Sequence, residues 1–414
     1  MIPVDLLIQP KALIPSFHAT PRASAPASCH FDWGIVINQG HITAVDSLTT
    51  LRAAYQPEQV LDLPNHLIMP GLVNAQSHAL SIAARGQAAQ TNVFAAPLNP
   101  QEHPASGMAG QPPSPDELIA AAQLAFAEML LAGTTTCADM SAYPEHVAKA
   151  AEITGIRAQI GVPITAQSNP WATSAQDALE RALALHDKYA RNPNISVALG
   201  LPDLAQISAE ILTKVGMYAE ELNLQVQALL HPTPGHVLAI EERHGCDGVK
   251  LLDSAGLLGP ALQAVHVNVV DDDAIDLLQR YRVALVRCQH PFSGQMRPWD
   301  WMQPDQPIGL GTGSHELNYY ADAFHSAGQQ GAQGLHRATQ GSAEVMGLEG
   351  HIGSLEVDKL ADVIALDLRV LDPRTDSDLI QVNVPSLLTR GRANQAVTHV
   401  WVGGSLHIDN RELR

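Results

Sequence analysis

Two histidines stand where metal chemistry would need them. His78 ends the segment HLIMPGLVNAQSH and His266 ends ALQAVH, both at the ends of strand-like runs. Zinc or iron binding takes three or more His, Asp or Glu side chains converging at about 2.0–2.2 Å. Other polar residues that end predicted strands are Gln76, Gln227 with His231, Cys288 with His290, and Gly313 followed by His315. Three further features carry milder readings. Asp271-Asp272-Asp273 precedes AIDLLQRY and reads as an N-cap and first helical turn. Asp139 follows a strand and reads equally as a cleft residue or as a loop hydrogen-bond acceptor. Cys288 has no base beyond His290 to activate it as a nucleophile.

The elements that must position these residues alternate. PDELIAAAQLAFAEMLLAG reads as a helix with Ser114 as N-cap, Pro115 at its first turn and Gly133 closing it. TTTCADM, RAQIGVPI, SVALGLPD, LQVQALLH, ALQAVHVNV, VALVRCQ and PIGLGTGS read as strands between further helices. With HLIMPGLVNAQSH these make about eight, which predicts a (β/α)8 TIM-like barrel over 67–353. A doubly wound open sheet is the rival, but no GxGxxG follows the first strand. In such barrels the active residues lie at the C-terminal ends of the strands. Residues 1–66 and 354–414 read as short strands, with hairpin turns at Gln39-Gly40 and Gly403-Gly404. They predict a small β-sandwich domain assembled from both termini. The Pro/Gly/Gln/Ala-rich stretch 87–115 is long enough to be a lid or an insertion.

Composition excludes several classes. Of 414 residues, 46% are hydrophobic and 16% charged, so wholesale disorder is ruled out. Lys and Arg number 24 against 42 Asp and Glu, a net charge of −18 that argues against nucleic acid and anionic membrane as partners. Four scattered cysteines without CxxC spacing exclude a disulfide framework. No basic leader and no membrane-length apolar run are seen, and a cytoplasmic location is expected.

Several blocks then make the chain recognisable. IMPGLVNAQSHALSIAARG is similar to a PGLVNxHxHxxxxxxRG block, AGTTTCADM to GTTTxxDM, and GHIGSLEVDKLADVIALDL to GSLExGKxADxxxxDL. LLGPALQAVHVNVVDDDAIDLL is similar to a strand-six block with a metal-binding histidine, and VWVGGSLHIDN to a closing hairpin. The chain resembles the amidohydrolase superfamily nearly end to end, nearest to methylthioadenosine/S-adenosylhomocysteine deaminases and triazine hydrolases. The resemblance implies a metal-dependent hydrolase barrel with a β-sandwich, hydrolysis of non-peptide C–N bonds, a small purine-nucleoside-like ligand and a homo-oligomer.

It also implies ligand positions, which this sequence fills in its own way. The family's HxH pair reads Gln76-Ser77-His78, and its strand-six histidine is His266. The IQxHxxE block falls on Leu224 to Leu230, putting Gln227 at the ligand histidine and Leu230 at the substrate-polarising glutamate. GTDG reads Gly311-Thr312-Gly313-Ser314, with no aspartate at 313, and the substrate-side histidine of GPHxPY falls near Pro202. The resulting expectation is a degenerate metal site holding only His78 and His266, no cofactor, and an inactive or altered deaminase-like protein. The alternative is an active hydrolase or deaminase around one zinc or iron ion, its site rebuilt from His78 and His266 with His315 as substitute ligand, or with His231, His236 and His290. An assembly protein that uses only its rims is a third reading.

Overall fold

The computed structural model describes residues 1–17, 29–84, 113–169, 171–288, 301–303, 305–313, 332–372, 387–388 and 393–414. The strands sort into two sheets. The first takes β1 (Ile2–Leu13), β2 (His30–Phe31), β3 (Trp33–Asn38), β4 (His41–Ser47) and β5 (Tyr55–Pro70) from the front of the chain. From the back it takes β14 (Val363–Asp367), β15 (Val397–Val402), β16 (Ser405–Asp409) and β17 (Glu412–Leu413). Its order is β17-β16-β15-β14-β5-β1-β3-β4, with β2 on β1, and only the β1–β5 pairing is parallel. The junction of front and back is β5 against β14, where Ile68 faces Ala365 and Met69 faces Ile364. Both expected hairpin turns form. Gln39-Gly40 (φ 49° and 79°) and Gly403-Gly404 (φ 53° and 77°) supply the positive dihedrals that a two-residue turn demands.

The second sheet is the barrel. It runs in chain order through β6 (Leu72–Ser77), β7 (Thr134–Asp139), β8 (Arg157–Pro163), β9 (Ile195–Leu201), β10 (Val226–Leu230), β11 (Leu262–His266), β12 (Ala284–Cys288) and β13 (Ile308–Gly311). Every pairing among them is parallel, and a bridge between Ser77 and Gly313 joins the last strand to the first. Such strands, apolar on both faces, read as near-continuous hydrophobic runs, which is why the segments were legible.

Helices cover the outside: α1 (Leu48–Ala54) serves the first sheet. Around the barrel lie α2 (Pro115–Leu131), α3 (Pro144–Thr154), α4 (Ala175–Tyr189), α5 (Ala209–Leu222), α6 (Pro234–His244), α7 (Gly248–Ser254) and α8 (Asp272–Arg280). Their starts are set by side chains. Ser114 closes a capping box with Glu117 on α2, and Asp271 caps α8 by accepting the Ala274 N–H, as its acidic run predicted. Between strands and helices lies the main apolar layer, with Phe126, Met129, Leu179, Leu212 and Leu230 fully buried. Inside the barrel a smaller apolar set, including Ala75, Met140, Leu229, Val265 and Val286, fills what the polar residues leave. Apart from 113–115, the stretch 87–115 lies outside the described residues.

A buried ion pair ties the barrel to the first sheet. Arg157, at the start of β8, donates from Nε and Nη2 to the two carboxylate oxygens of Asp362 at 3.1 and 3.0 Å. Its Nη1 donates to Pro193 O and Asn194 Oδ1, while Thr136 Oγ1 and Gly403 N donate to Asp362. A fork-shaped guanidinium matches a carboxylate in this way, and every charge-bearing edge is used.

Candidate functional site

The C-terminal end of β6 is bent by a register shift between Asn74 and Ser77. Asn74 fixes the bend. Its Oδ1 accepts the N–H of Thr312 at 3.0 Å and its Nδ2 donates to Thr312 Oγ1 at 2.8 Å, stitching the first strand to the last. Gly313 adds its N–H to Gln76 O at 3.0 Å. His78 emerges from this bend almost fully buried. Its Nδ1 bonds Met140 O, which places the hydrogen on Nδ1, and Gln76 Nε2 donates towards its Nε2 at 3.3 Å. The end of β7 grips the same loop: Asp139 Oδ2 accepts Ala79 N at 2.5 Å and Ser77 Oγ at 3.1 Å. Burial pushes the Asp139 carboxyl up to about 6, against the pull of bonds from Ser141, Ala79 and Ser77. Of its two sequence readings, the loop acceptor is the one that forms.

Gln227 lies on β10 inside the barrel and is wholly buried. Its Nε2 donates to Gln159 Oε1 at 3.2 Å, and Gln263 Nε2 donates to the same oxygen at 2.6 Å. Gln159 in turn donates to Met346 O at 3.2 Å. A Cβ at Gly161 would fall 2.1 Å from Gln227 Oε1, so glycine there is what lets this amide fit. The acceptor oxygens of Gln76, Gln227 and Gln263 are buried without a partner among the described residues. Gln159 and Gln263 were not singled out from sequence, although a glutamine inside each of two apolar strand runs was the available signal.

The other expected positions fall in several places. Leu230 is buried in the layer between strands and helices. Gly313 has φ 67° and offers no side chain at the end of the last strand. Pro202 follows β9 directly and is buried. His266 ends β11, 8% exposed, with φ 79°. His231 follows β10 and uses both ring nitrogens on backbone groups, Gly248 N and Val269 O. Burial pushes the Cys288 thiol up to about 12, which keeps it protonated at neutral pH. His290 and His315 lie outside the described residues.

With the geometry in place, comparison with known proteins is decisive. The amidohydrolase family model matches residues 67–406. This chain belongs to the amidohydrolase family. A 5-methylthioadenosine/S-adenosylhomocysteine deaminase of Saccharophagus degradans is 32% identical, over 100% of this chain and 93% of its own. One from Teredinibacter turnerae is 31% identical over 92% and 89%. Among solved structures, an adenosine deaminase from Xanthomonas campestris with bound zinc superimposes with a TM-score of 0.89 and 27% identity, covering 100% and 95%. The atrazine chlorohydrolase TrzN of Arthrobacter aurescens shares the fold at a TM-score of 0.80 and 19% identity, over 99% and 96%.

The zinc in the Xanthomonas enzyme corrects one expectation. A site without any cofactor was anticipated, and family membership points instead to a metal ion. That expectation rested on replaced donors alone, whereas the fold of the zinc-holding Xanthomonas enzyme extends over the whole chain. As described, the donors are His78 and His266 with the amides of Gln76 and Gln227. No group of three or more His, Cys, Asp or Glu among the described residues is arranged to hold a metal. Zinc sites use imidazole, thiolate and carboxylate, and His78 and His266 are the side chains of that kind at these positions among the described residues. Among the described residues no helix is long and apolar enough to cross a membrane.

Proposed function

We propose that this chain is a hydrolase of non-peptide C–N bonds by descent, that its deaminase turnover is strongly reduced, and that its barrel mouth still takes a small purine-nucleoside-like molecule. Gln227 carries the reading. The family resemblance puts a ligand imidazole at this position, and here an amide is drawn onto Gln159 in the barrel interior. An amide oxygen is a weaker donor than imidazole, and Gln76 repeats the exchange beside His78. Gly313 has no carboxylate to receive a proton from an attacking water, and Leu230 turns an apolar side chain into the outer layer. Positioned acid–base help alone is worth about 10²–10⁴-fold in rate. The ligand class is supported by the names of the relatives, which act on methylthioadenosine, S-adenosylhomocysteine and adenosine.

What this chain's residues do in that reading is bind and orient. His78, held in its Nδ1–H form by Met140, presents Nε2 towards Gln76. The partnerless oxygens of Gln76, Gln227 and Gln263 are acceptors, suited to water or to N–H donors. The test is side-by-side assay with the Saccharophagus relative, zinc supplied to both. Saturable methylthioadenosine binding in equilibrium dialysis, with kcat/KM lower by about 10³-fold or more, is expected. Turnover within tenfold of the relative overturns the reduced-activity reading, and absence of binding overturns the ligand.

A further inference from the structure

His231 occupies none of the family's ligand positions, yet it is 2% exposed and both its ring nitrogens are engaged. Gly248 N donates to Nε2 at 2.9 Å, so Nε2 carries the lone pair. Nδ1 therefore holds the hydrogen and donates to Val269 O at 2.9 Å. The main chain pulls the same way. His231 O accepts the N–H groups of Asn268 and Val269, both at 3.2 Å, and Leu230 O accepts Val267 N at 2.9 Å. The stretch that follows His266 is thus tied at four points to Leu230 and His231.

That stretch is strained. His231, His266 and Val267 have φ of 49°, 79° and 48°. A β-branched residue in the left-handed region is a genuine outlier, and such backbone persists only where its surroundings over-determine it. The clamp also explains a glycine. A Cβ on Gly248 would lie 2.7 Å from His231 Nε2 and 3.0 Å from Leu230 Cδ1, so no larger residue allows the ring its bond to the first turn of α7.

We infer that His231 is a positioning residue for His266: a neutral, two-ended clamp joining β10, the start of α7 and the β11–α8 loop, which holds the His266 backbone in its left-handed conformation at the barrel mouth. The inference rests on the reading that a ligand sits beside His266. Without the ring, Gly248 N and Val269 O lose their partners. Val267 then relaxes to negative φ, and His266 turns with it.

The experiment uses the full chain with 15N-labelled histidine, the ring of His266 being identified by its loss in His266→Gln. His231→Ala is expected to change the tautomer ratio and titration midpoint of the His266 ring. His231→Gln, with one acceptor and one donor, restores them in part. Gly248→Ala changes them in the same direction while leaving His231 in place. A merely structural role lowers the melting temperature and leaves the His266 ring signals as in wild type. That result, well below each variant's melting temperature, overturns the inference. Should His231→Ala fail to fold, Gly248→Ala decides alone. The readout needs no nucleoside, so its failure is distinct from a failure of methylthioadenosine binding.

Discussion

The seam between the barrel and the terminal sheet and the interior of the barrel are both polar and both buried, and they are finished differently. At the seam, Arg157 and Asp362 spend all their hydrogen-bonding edges on each other and on Pro193, Asn194, Thr136 and Gly403. In the barrel interior, the amide groups of Gln76, Gln227 and Gln263 each donate a hydrogen bond and leave an acceptor oxygen unmatched among the described residues. Leaving such a group buried costs about 1–3 kcal/mol. The unmatched oxygens mark the barrel interior as a place suited to water or to another hydrogen-bond donor.

Breaking the seam has the largest expected effect. Arg157→Leu leaves Asp362 charged and buried, and should cost about 3–5 kcal/mol in urea unfolding. Loss of under about 1 kcal/mol would mean that the two sheets are held by apolar packing alone. The barrel interior should behave oppositely. Changing Gln263→Leu removes an unmatched oxygen together with one bond, and stability should move by no more than about 1 kcal/mol in the same assay. A loss as large as that of Arg157→Leu would erase the contrast.

Metal affinity sharpens the comparison. Converting Gln76 and Gln227 together to His returns two imidazoles to the family's positions, and zinc affinity should rise by more than the 10–100-fold typical of second-shell changes. Competition against a chromophoric chelator measures it, and an unchanged affinity would separate these positions from metal binding.

The pH dependence of stability carries two effects of opposite sign. Asp139 has its carboxyl raised from 3.8 to about 6, so the folded state binds more protons in that window and stability falls as pH rises through it. His66, on β5 of the sandwich, is lowered from 6.5 to about 4, mainly by burial, so stability falls as pH drops through that window. Asp139→Asn should remove the first slope and His66→Gln the second, read from melting temperatures between pH 4 and 7. A variant that keeps its slope refutes the assignment for that residue.

Much of this was legible in the sequence. Apolar runs closed by Ser114, Asp271 and the paired turn residues placed strands, helices and hairpins, because propensity and burial agree there. Gln76, Gln227, Leu230 and Gly313 were singled out only through the resemblance, whose spacing their neighbours keep. What was hidden depends on contacts across the barrel. Gln159 meets Gln227 and Gln263 from different strands. His231 looked like a spare ligand because its partners, Gly248 and Val269, offer only backbone atoms. The cofactor was misjudged because donors were counted one at a time. Family membership and the zinc of the Xanthomonas enzyme point to a metal ion whatever that count.

The central claim is that amides at 76 and 227, with no carboxylate at 313, leave a barrel that binds and scarcely turns over. Its most direct test is the rate of methylthioadenosine deamination by zinc-supplemented protein, followed by the ultraviolet change from amino- to oxo-purine. A kcat/KM about 10³-fold or more below that of the Saccharophagus relative is predicted. Equal rates would contradict it.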